Sequence, residues 1–471
     1  MELIITLAGR LARFSPRLVT MAARLAGSPM RYLSGLPVER EMVMLGLPAA
    51  KLALLNDLPL VRQVLSDRAG TYPKSSDLEL LLQPLIGRGV FGQPGGDAVK
   101  QARRIYVRAL SQIPDGDVDR ITREVTRRYL RDWRRRGRPV HIPSELSRLT
   151  IDVVSQATLG SCFEPRESRR FVDLFFEYHR RANPLVLLLA PRGLSVRRGL
   201  IERLGLQEIG AQMRGLIRER FVEPLLDERS VARRAPFAAA LLESADLGSS
   251  GDTSPVREEA RKTALLDEIA VMLLAGHETS ASVVSWLLWE LAGNPAEQDS
   301  VRGLLRARQT EPAARPEGSA DTPSKNAQRR LTALIQESLR LYPPIAFLLR
   351  ETQQDVAFRN RPVPAGGYVV VSPWTLQRHR RLWKDPDRFD PTRWLGAEPP
   401  ADRSAFIPFG QGPRVCPGRR FAEVEMLSIV SELLLDHRFE RTWGRHPQPL
   451  GSLTSRPDRD FRLVANAIAE P

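Results

Sequence analysis

Across residues 265–291 the chain is apolar on every helical face, yet Gly276, His277, Glu278, Thr279 and Ser280 stand together in the middle of the run. A helix of that kind has to be surrounded by other structure. The surrounding is supplied by residues 58–68, 118–133, 143–159, 169–181 and 207–226, where apolar side chains recur at three and four. Strand character is confined to 40–46, 51–57 and 368–372, the last following the turn Pro364-Ala-Gly-Gly367. The expected fold is therefore mainly α with small β-sheets. Within the long run, a glycine costs about 1 kcal/mol against alanine, and a hydroxyl competes for the backbone bonds of the preceding turn. A local widening or kink near Gly276 is expected. His277 reads as a helix-face residue, not as a ligand.

Near the other end stands Phe409-Gly410-Gln411-Gly412-Pro413-Arg414-Val415-Cys416-Pro417-Gly418, which puts one of only two cysteines in a glycine-rich loop running into an apolar helix. A thiolate that ligates a metal must be deprotonated, fixed, and surrounded by N–H groups and positive charge. Gly410, Gly412 and Gly418 would permit backbone conformations closed to other residues, Arg414 could neutralise an acidic group beside the metal, and Pro417 removes one N–H. The bland alternative is an inert buried thiol, which is also the reading for Cys162. Two cysteines build neither a disulfide scaffold nor a four-cysteine zinc site.

The spacing of Phe409, Gly412, Arg414, Cys416 and Gly418 resembles the haem-binding signature of the cytochrome P450 family, with Ala422 also in a favoured place. Other segments resemble it independently and in the family's order: Ala275 to Ser280, Glu337-Ser-Leu-Arg340 with Pro343-Pro344 behind it, and Asp385-Pro-Asp-Arg388-Phe389. The resemblance covers the chain from about Arg40 onward. It implies a cytochrome P450-like fold in a single catalytic domain, residues 40–471, preceded by an arm over residues 1–39.

The resemblance also implies roles. Cys416 would ligate the iron of haem b, and a flat cofactor would approach closely at Ala275 and Gly276. Thr279 would stabilise the iron-bound oxygen species and Glu278 would deliver protons; the alternative for Glu278 is a structural ion pair. Haem carries two propionates, for which Arg414 and Arg350 are the first candidates. Where the family commonly has a tryptophan and an arginine four residues later, this chain has Val99 and Arg103. Glu337 and Arg340, three apart on a helix, can form a bidentate pair with Arg388 completing a triad that holds the cysteine region. His379, where the family usually carries an acid, has no account from sequence.

Thiolate ligation favours O–O cleavage, so the implied activity is that of a monooxygenase, placing one atom of O2 in substrate and the other in water. The alternatives are a peroxide-driven peroxygenase and a haem-binding protein without turnover; the Glu278-Thr279 pair disfavours both. With no flavin or iron–sulfur motif in the chain, electrons would come from a ferredoxin or flavodoxin-type donor with its reductase. The net charge is +15, and the basic excess is concentrated between Lys100 and Arg138. Such a field would steer an acidic donor, or it is a solvated helix face. No zinc finger, stacking platform or helix-turn-helix accompanies it, which argues against nucleic acid.

Candidate pocket walls are residues 78–91, 184–189, 345–349 and the helix before Gly276, all rich in apolar groups, and the expected substrate is a hydrophobic small molecule. No transmembrane anchor is visible, since the opening apolar run stops at Gly9 and Arg10. The expectation is a cytoplasmic protein of the soluble bacterial type. Arginines at 10, 13, 17 and 24 share one helical face, so the arm either lies on a membrane surface or packs on the body, with Pro16 interrupting it.

Overall fold

The computed structural model describes residues 39–46, 50–91, 96–182, 187–188, 194–227, 235–246, 254–311, 322–396 and 402–468. The N-terminal arm lies outside the described residues. The helices of eight residues or more among the described residues are α1 (Leu58–Leu65), α2 (Ser76–Ile86), α3 (Asp97–Ser111), α4 (Asp115–Arg136), α5 (Ile142–Leu159), α6 (Pro165–Arg181), α7 (Leu194–Arg203), α8 (Leu206–Ile217), α9 (Pro236–Asp246), α10 (Pro255–Ala292), α11 (Pro295–Gln309), α12 (Pro323–Leu341) and α13 (Arg419–Leu435).

The apolar run is the body of α10, 38 residues long, started by Pro255 and by a Ser254 side chain that accepts from the Arg257 N–H. Leu265, Ile269, Leu273, Val284, Trp286 and Leu288 are all buried, and from Leu265 onward all of the helix but a strip at Ala275 and Thr279 is packed against other structure. Fully burying one such side chain contributes roughly 1.5–3 kcal/mol, which is why this helix organises the rest. It is long and apolar enough to cross a membrane, and 78% of its most apolar stretch is buried inside the protein. Helix α4 shows the opposite logic. Asp115 and Asp117 open it, Arg134, Arg135 and Arg136 close it, and Gly137 at φ 58° stops it. Charge at both ends complements the dipole, and only the left-handed glycine is needed to end it.

The strands are few and short. β1 (Met42–Gly46), β2 (Lys51–Leu55), β4 (Leu348–Glu351) and β7 (Tyr368–Val371) form one sheet in the order β1-β2-β7-β4. β2 and β7 run parallel and the other pairs antiparallel. β3 (Val140–His141), β11 (Arg462–Ala467) and β8 (His437–Arg441) form a second sheet. Two hairpins complete the set: β5 (Val356–Phe358) with β6 (Arg361–Val363), and β9 (Pro449–Gly451) with β10 (Ser455–Pro457).

One expectation about local geometry is corrected. Helix α10 runs unbroken through Gly276, because its polar groups bond within the helix: Thr279 Oγ1 donates to the Ala275 carbonyl at 3.0 Å, and His277 Nδ1 lies 2.8 Å from that of Leu273. The widened turn sits instead at Arg218–Val222, after α8. Pro224 follows it, and without an N–H a proline cannot continue the ordinary ladder.

Candidate functional site

The cysteine loop is built by backbone. Cys416 N–H donates to the Phe409 carbonyl at 2.9 Å, folding the loop back on itself just before α13. Gly410 and Gly412 take φ of 73° and 74°, conformations that a residue with a Cβ rarely adopts. At Gly412 there is a second requirement, since a Cβ there would lie 2.1 Å from the Leu65 carbonyl at the end of α1. Gly412 therefore docks the loop on α1. Gly418 differs from the expectation, with an ordinary φ of −89°. Its contribution is an N–H directed at the thiol of Cys416.

Cys416 is reached by solvent from within a crowded recess. Burial pushes its thiol pKa up, while the Gly418 N–H and the charges of Arg103 and Arg419 pull it down. Arg103, on α3, donates to the carbonyl of Val415, immediately before the cysteine. The ring of Phe409 lies 5.4 Å from the Arg419 guanidinium.

Around this loop the chain gathers cations. Arg414 donates to the Tyr72 carbonyl at 3.0 Å, and the backbone at Lys74 bridges that of the buried Arg350 on β4. Lys74 Nζ donates to the Phe91 carbonyl at 3.0 Å. Burial together with Arg414, Arg350 and Arg103 lowers the Lys74 pKa to about 7, and burial and Arg414 lower that of Arg350 to about 10. Nearby acids at Asp67 and Glu79 offset this only in part. A cluster so crowded with positive charge suits a dianionic ligand, as the two propionates of haem require. The residues present therefore fit the group. Lys74 was not anticipated; the only signal was a lone lysine between Pro73 and the Ser75 cap of α2.

On α10, Ala275 is exposed and Leu274, Gly276 and Thr279 are half-buried, while His277, Glu278 and Ser280 are buried, so a recess reaches the helix along this strip. Gly276 also meets the neighbouring helix. A Cβ there would meet the two methyl groups of Val154 at 3.0 and 3.1 Å, so the glycine lets α5 pack against α10. Glu278 is buried, with Ser147 Oγ donating to it at a long 3.5 Å. Burial raises its pKa to about 7 against the opposing pull of Arg456. His277 is wholly buried rather than on an open face, edge-on to Phe171 and Phe175, and burial lowers its pKa to about 4.

A second acid was not foreseen from sequence. Glu425 on α13 has zero exposure, neither carboxyl oxygen has a hydrogen-bond partner among the described residues, and burial raises its pKa to about 8. Ser280 on α10 faces it without closing a bond of ordinary geometry.

Glu337 and Arg340 form the expected buried bidentate pair, at 2.8 and 2.9 Å with both side chains fully enclosed. The third guanidinium is corrected. Arg393 Nε donates to Glu337 at 3.0 Å and Trp394 Nε1 at 2.9 Å, whereas Arg388 is exposed and enters only through its carbonyl, which accepts from Arg340 at 2.9 Å. Chain geometry decides this: the loop turns so that position 388 faces outward and position 393 inward. His379 now has an account. It is a buried, neutral side chain whose Nδ1 accepts from the Arg381 N–H at 3.2 Å, closing a turn.

The basic stretch is largely spoken for. Arg123 and Arg127 pair with the buried Glu432 of α13, Arg128 with Asp152, and Arg136 with Glu145 of α5. Cys162 is half-buried, its thiol pushed up to about 11 by burial. Of the expected pocket walls, Leu187 is buried and Leu188 packs on the sheet, while the remainder of 184–189 lies outside the described residues.

Comparison with known proteins agrees with this arrangement. The chain is 26% identical to cytokinin hydroxylase of Arabidopsis thaliana over 88% of its own length and 79% of the relative's. It is 27% identical to cyclooctatin synthase of Streptomyces melanosporofaciens over 93% and 92%. Its fold matches the crystal structure of the cytochrome P450DA heme domain with a TM-score of 0.71 at 20% identity, covering 91% of this chain and 90% of that one. The sequence model described as Cytochrome P450 matches residues 38–460. A cysteine held in the loop that opens α13, with cations gathered about that loop and a fold built round a buried central helix, thus has its place among known proteins: this chain belongs to the cytochrome P450 family, whose members are haem-dependent monooxygenases.

Proposed function

We propose that this cytochrome P450 monooxygenase hydroxylates a sizeable apolar substrate, holding haem b through Cys416 and drawing electrons from a separate ferredoxin or flavodoxin-type donor. The observation that carries the reading is the cation cluster of Lys74, Arg103, Arg350 and Arg414 gathered about the Cys416 loop. When bound, thiolate-ligated haem supplies the activation of O2. The chain's own residues do the rest. Gly418 N–H and Arg103 favour the thiolate of Cys416, and the cations would neutralise the propionates. Glu278, buried and poised near neutrality, can take up and release a proton at working pH. Thr279, one residue on and half-exposed to the recess, is placed to pass that proton forward from its hydroxyl.

This pair supports O2-dependent turnover over a peroxide-driven reaction. Leu81, Leu85, Ile86 and Ala346 are buried apolar contributions from the expected walls, consistent with an apolar guest. Residues 40–471 would form one catalytic domain, cytoplasmic, with the preceding arm packed on the body or laid on a membrane surface.

The test is spectroscopic. Reduced protein under carbon monoxide should show the absorption band of thiolate-ligated haem, and Cys416→Ser should abolish it. A Cys416→Ser protein with the wild-type spectrum would remove the reading.

A further inference from the structure

The β9–β10 hairpin is clamped between two helices. On the α6 side, Thr454 donates its N–H at 2.9 Å to His179 Nε2, with its hydroxyl 2.7 Å from the same nitrogen. Ser452 Oγ donates to the carbonyls of His179 and Ala182 at 3.1 and 2.7 Å. On the α10 side, Ser282 Oγ donates to the Ser455 carbonyl at 2.7 Å, and the Ser455 N–H donates to the Pro344 carbonyl at 2.6 Å. Arg456 follows directly in β10, so its backbone has little freedom. Its guanidinium stacks 4.4 Å from the centre of the Phe176 ring on α6, and its Nε is enclosed without a hydrogen-bond partner among the described residues.

An enclosed guanidinium without a direct carboxylate partner is costly. Among the described residues no carboxylate reaches ion-pair distance of Arg456, and the acids acting on it are Glu278 from inside and Asp460 from outside. Glu278 and Ser282 are four apart on α10 and so share a face, and the Ser282–Ser455 bond brings β10, at the residue before Arg456, against that face. Burial opposes the charge of Glu278, Ser147 of α5 offers one long bond, and Arg456 is the cation that favours its ionised form. The other groups around this seam are His277 on α10, His179 and Arg180 on α6, and Asp460 beyond β10. Both histidines are buried, and burial lowers the pKa of each. Arg180 and Asp460 are exposed, so the seam between α6 and β10 opens to water at their end.

We propose that Arg456 is a positioning residue that acts through Glu278, directing its carboxylate into the seam between α6 and β10 so that this acid is reloaded with protons from solvent along that seam. The proposal rests on the reading of Glu278 as the proton-delivering acid. The balance is simple: for each proton Glu278 releases on the Thr279 side, a water in the seam returns one to the carboxylate. Arg456 remains protonated throughout, and neither side chain is changed over a cycle.

The experiment is an infrared pH titration of the full, haem-loaded chain, with the Glu278 carboxyl band assigned by its loss in Glu278→Gln. In Arg456→Met the midpoint should move up by about one pH unit or more, a tenfold gain in proton affinity. Arg456→Lys should restore most of the shift. Phe176→Leu, which frees the guanidinium from its stacking, should move the midpoint the same way as Arg456→Met and serves if that variant does not fold. A midpoint unchanged in both Arg456→Met and Phe176→Leu overturns the proposal. The underlying acid role is read separately, from peroxide released per electron pair consumed with a surrogate ferredoxin and reductase. If Glu278→Gln couples as well as wild type, that role fails, while the infrared midpoint still reports on the pairing itself.

Discussion

Glu337 illustrates how much a single enclosed carboxylate can organise. It accepts from Arg340, from Arg393, from Trp394 and from the Asp390 N–H, at 2.8 to 3.0 Å. Arg340 in turn donates to the carbonyls of Gln377, Pro386 and Arg388. Removing one partner of such a network leaves charge and carbonyls unpaired, a loss of roughly 3–5 kcal/mol. Arg340→Ala should therefore yield little haem-loaded protein, measured as Soret absorbance per chain. The same assay separates the two loop arginines: Arg393→Ala should lose haem and stability, and Arg388→Ala should behave as wild type. Thr279→Ala should release more peroxide per electron pair consumed, because its hydroxyl lies beside the recess; unchanged coupling would deny it a part in proton transfer. At this scale spacing carried the pair at 337 and 340, since three residues apart on a helix always share a face. It could not carry Arg393, because which side of an irregular loop faces inward depends on the turns between.

Among the helices, the contact of α10 with α13 and with α5 governs the site. Glu425 and Glu278 are both acids whose folded pKa is raised by burial, to about 8 and about 7. Such groups favour folding less as pH rises, since the unfolded chain gives up their protons first. Stability should thus decline from the ordinary carboxylate range up to about pH 8. Glu425→Gln should flatten that decline, as followed by chemical denaturation at several pH values. The glycines make opposite forecasts. Gly412→Ala places a Cβ against the Leu65 carbonyl at a positive φ and should displace the cysteine loop, with loss of haem. Gly276→Ala gains about 1 kcal/mol of helix propensity, set against the squeeze on Val154, and should leave haem content intact. The long apolar run and the periodic segments made these helices legible in outline. The unbroken course of α10 was not, because whether a hydroxyl bends a helix or bonds quietly to the preceding turn is settled by the neighbours that pack on it.

Over the whole molecule, the basic character of the sequence divides into two populations. Arginines on α4 neutralise buried acids on α13 and α5, so charge reversal there, such as Arg127→Glu opposite Glu432, should lower the melting temperature. Arg104 and Arg108 are exposed on α3, the helix that carries Arg103 to the cysteine loop. Reversing them should slow reduction by an acidic donor and weaken its salt dependence, with melting unchanged. A count of charges along the sequence could not make this division, because an arginine's partner is set by tertiary contact.

The sheet of β3, β11 and β8 joins Val140 to Leu463 in one ladder. The corner where α4 turns into α5 is therefore closed by β11, a strand made after both α10 and α13. A nascent chain must carry its cysteine helix and central helix, both already complete, while that corner still waits for its cover. Chains shortened before Arg462 should accordingly be seized by chaperones or proteases, however intact their haem ligand.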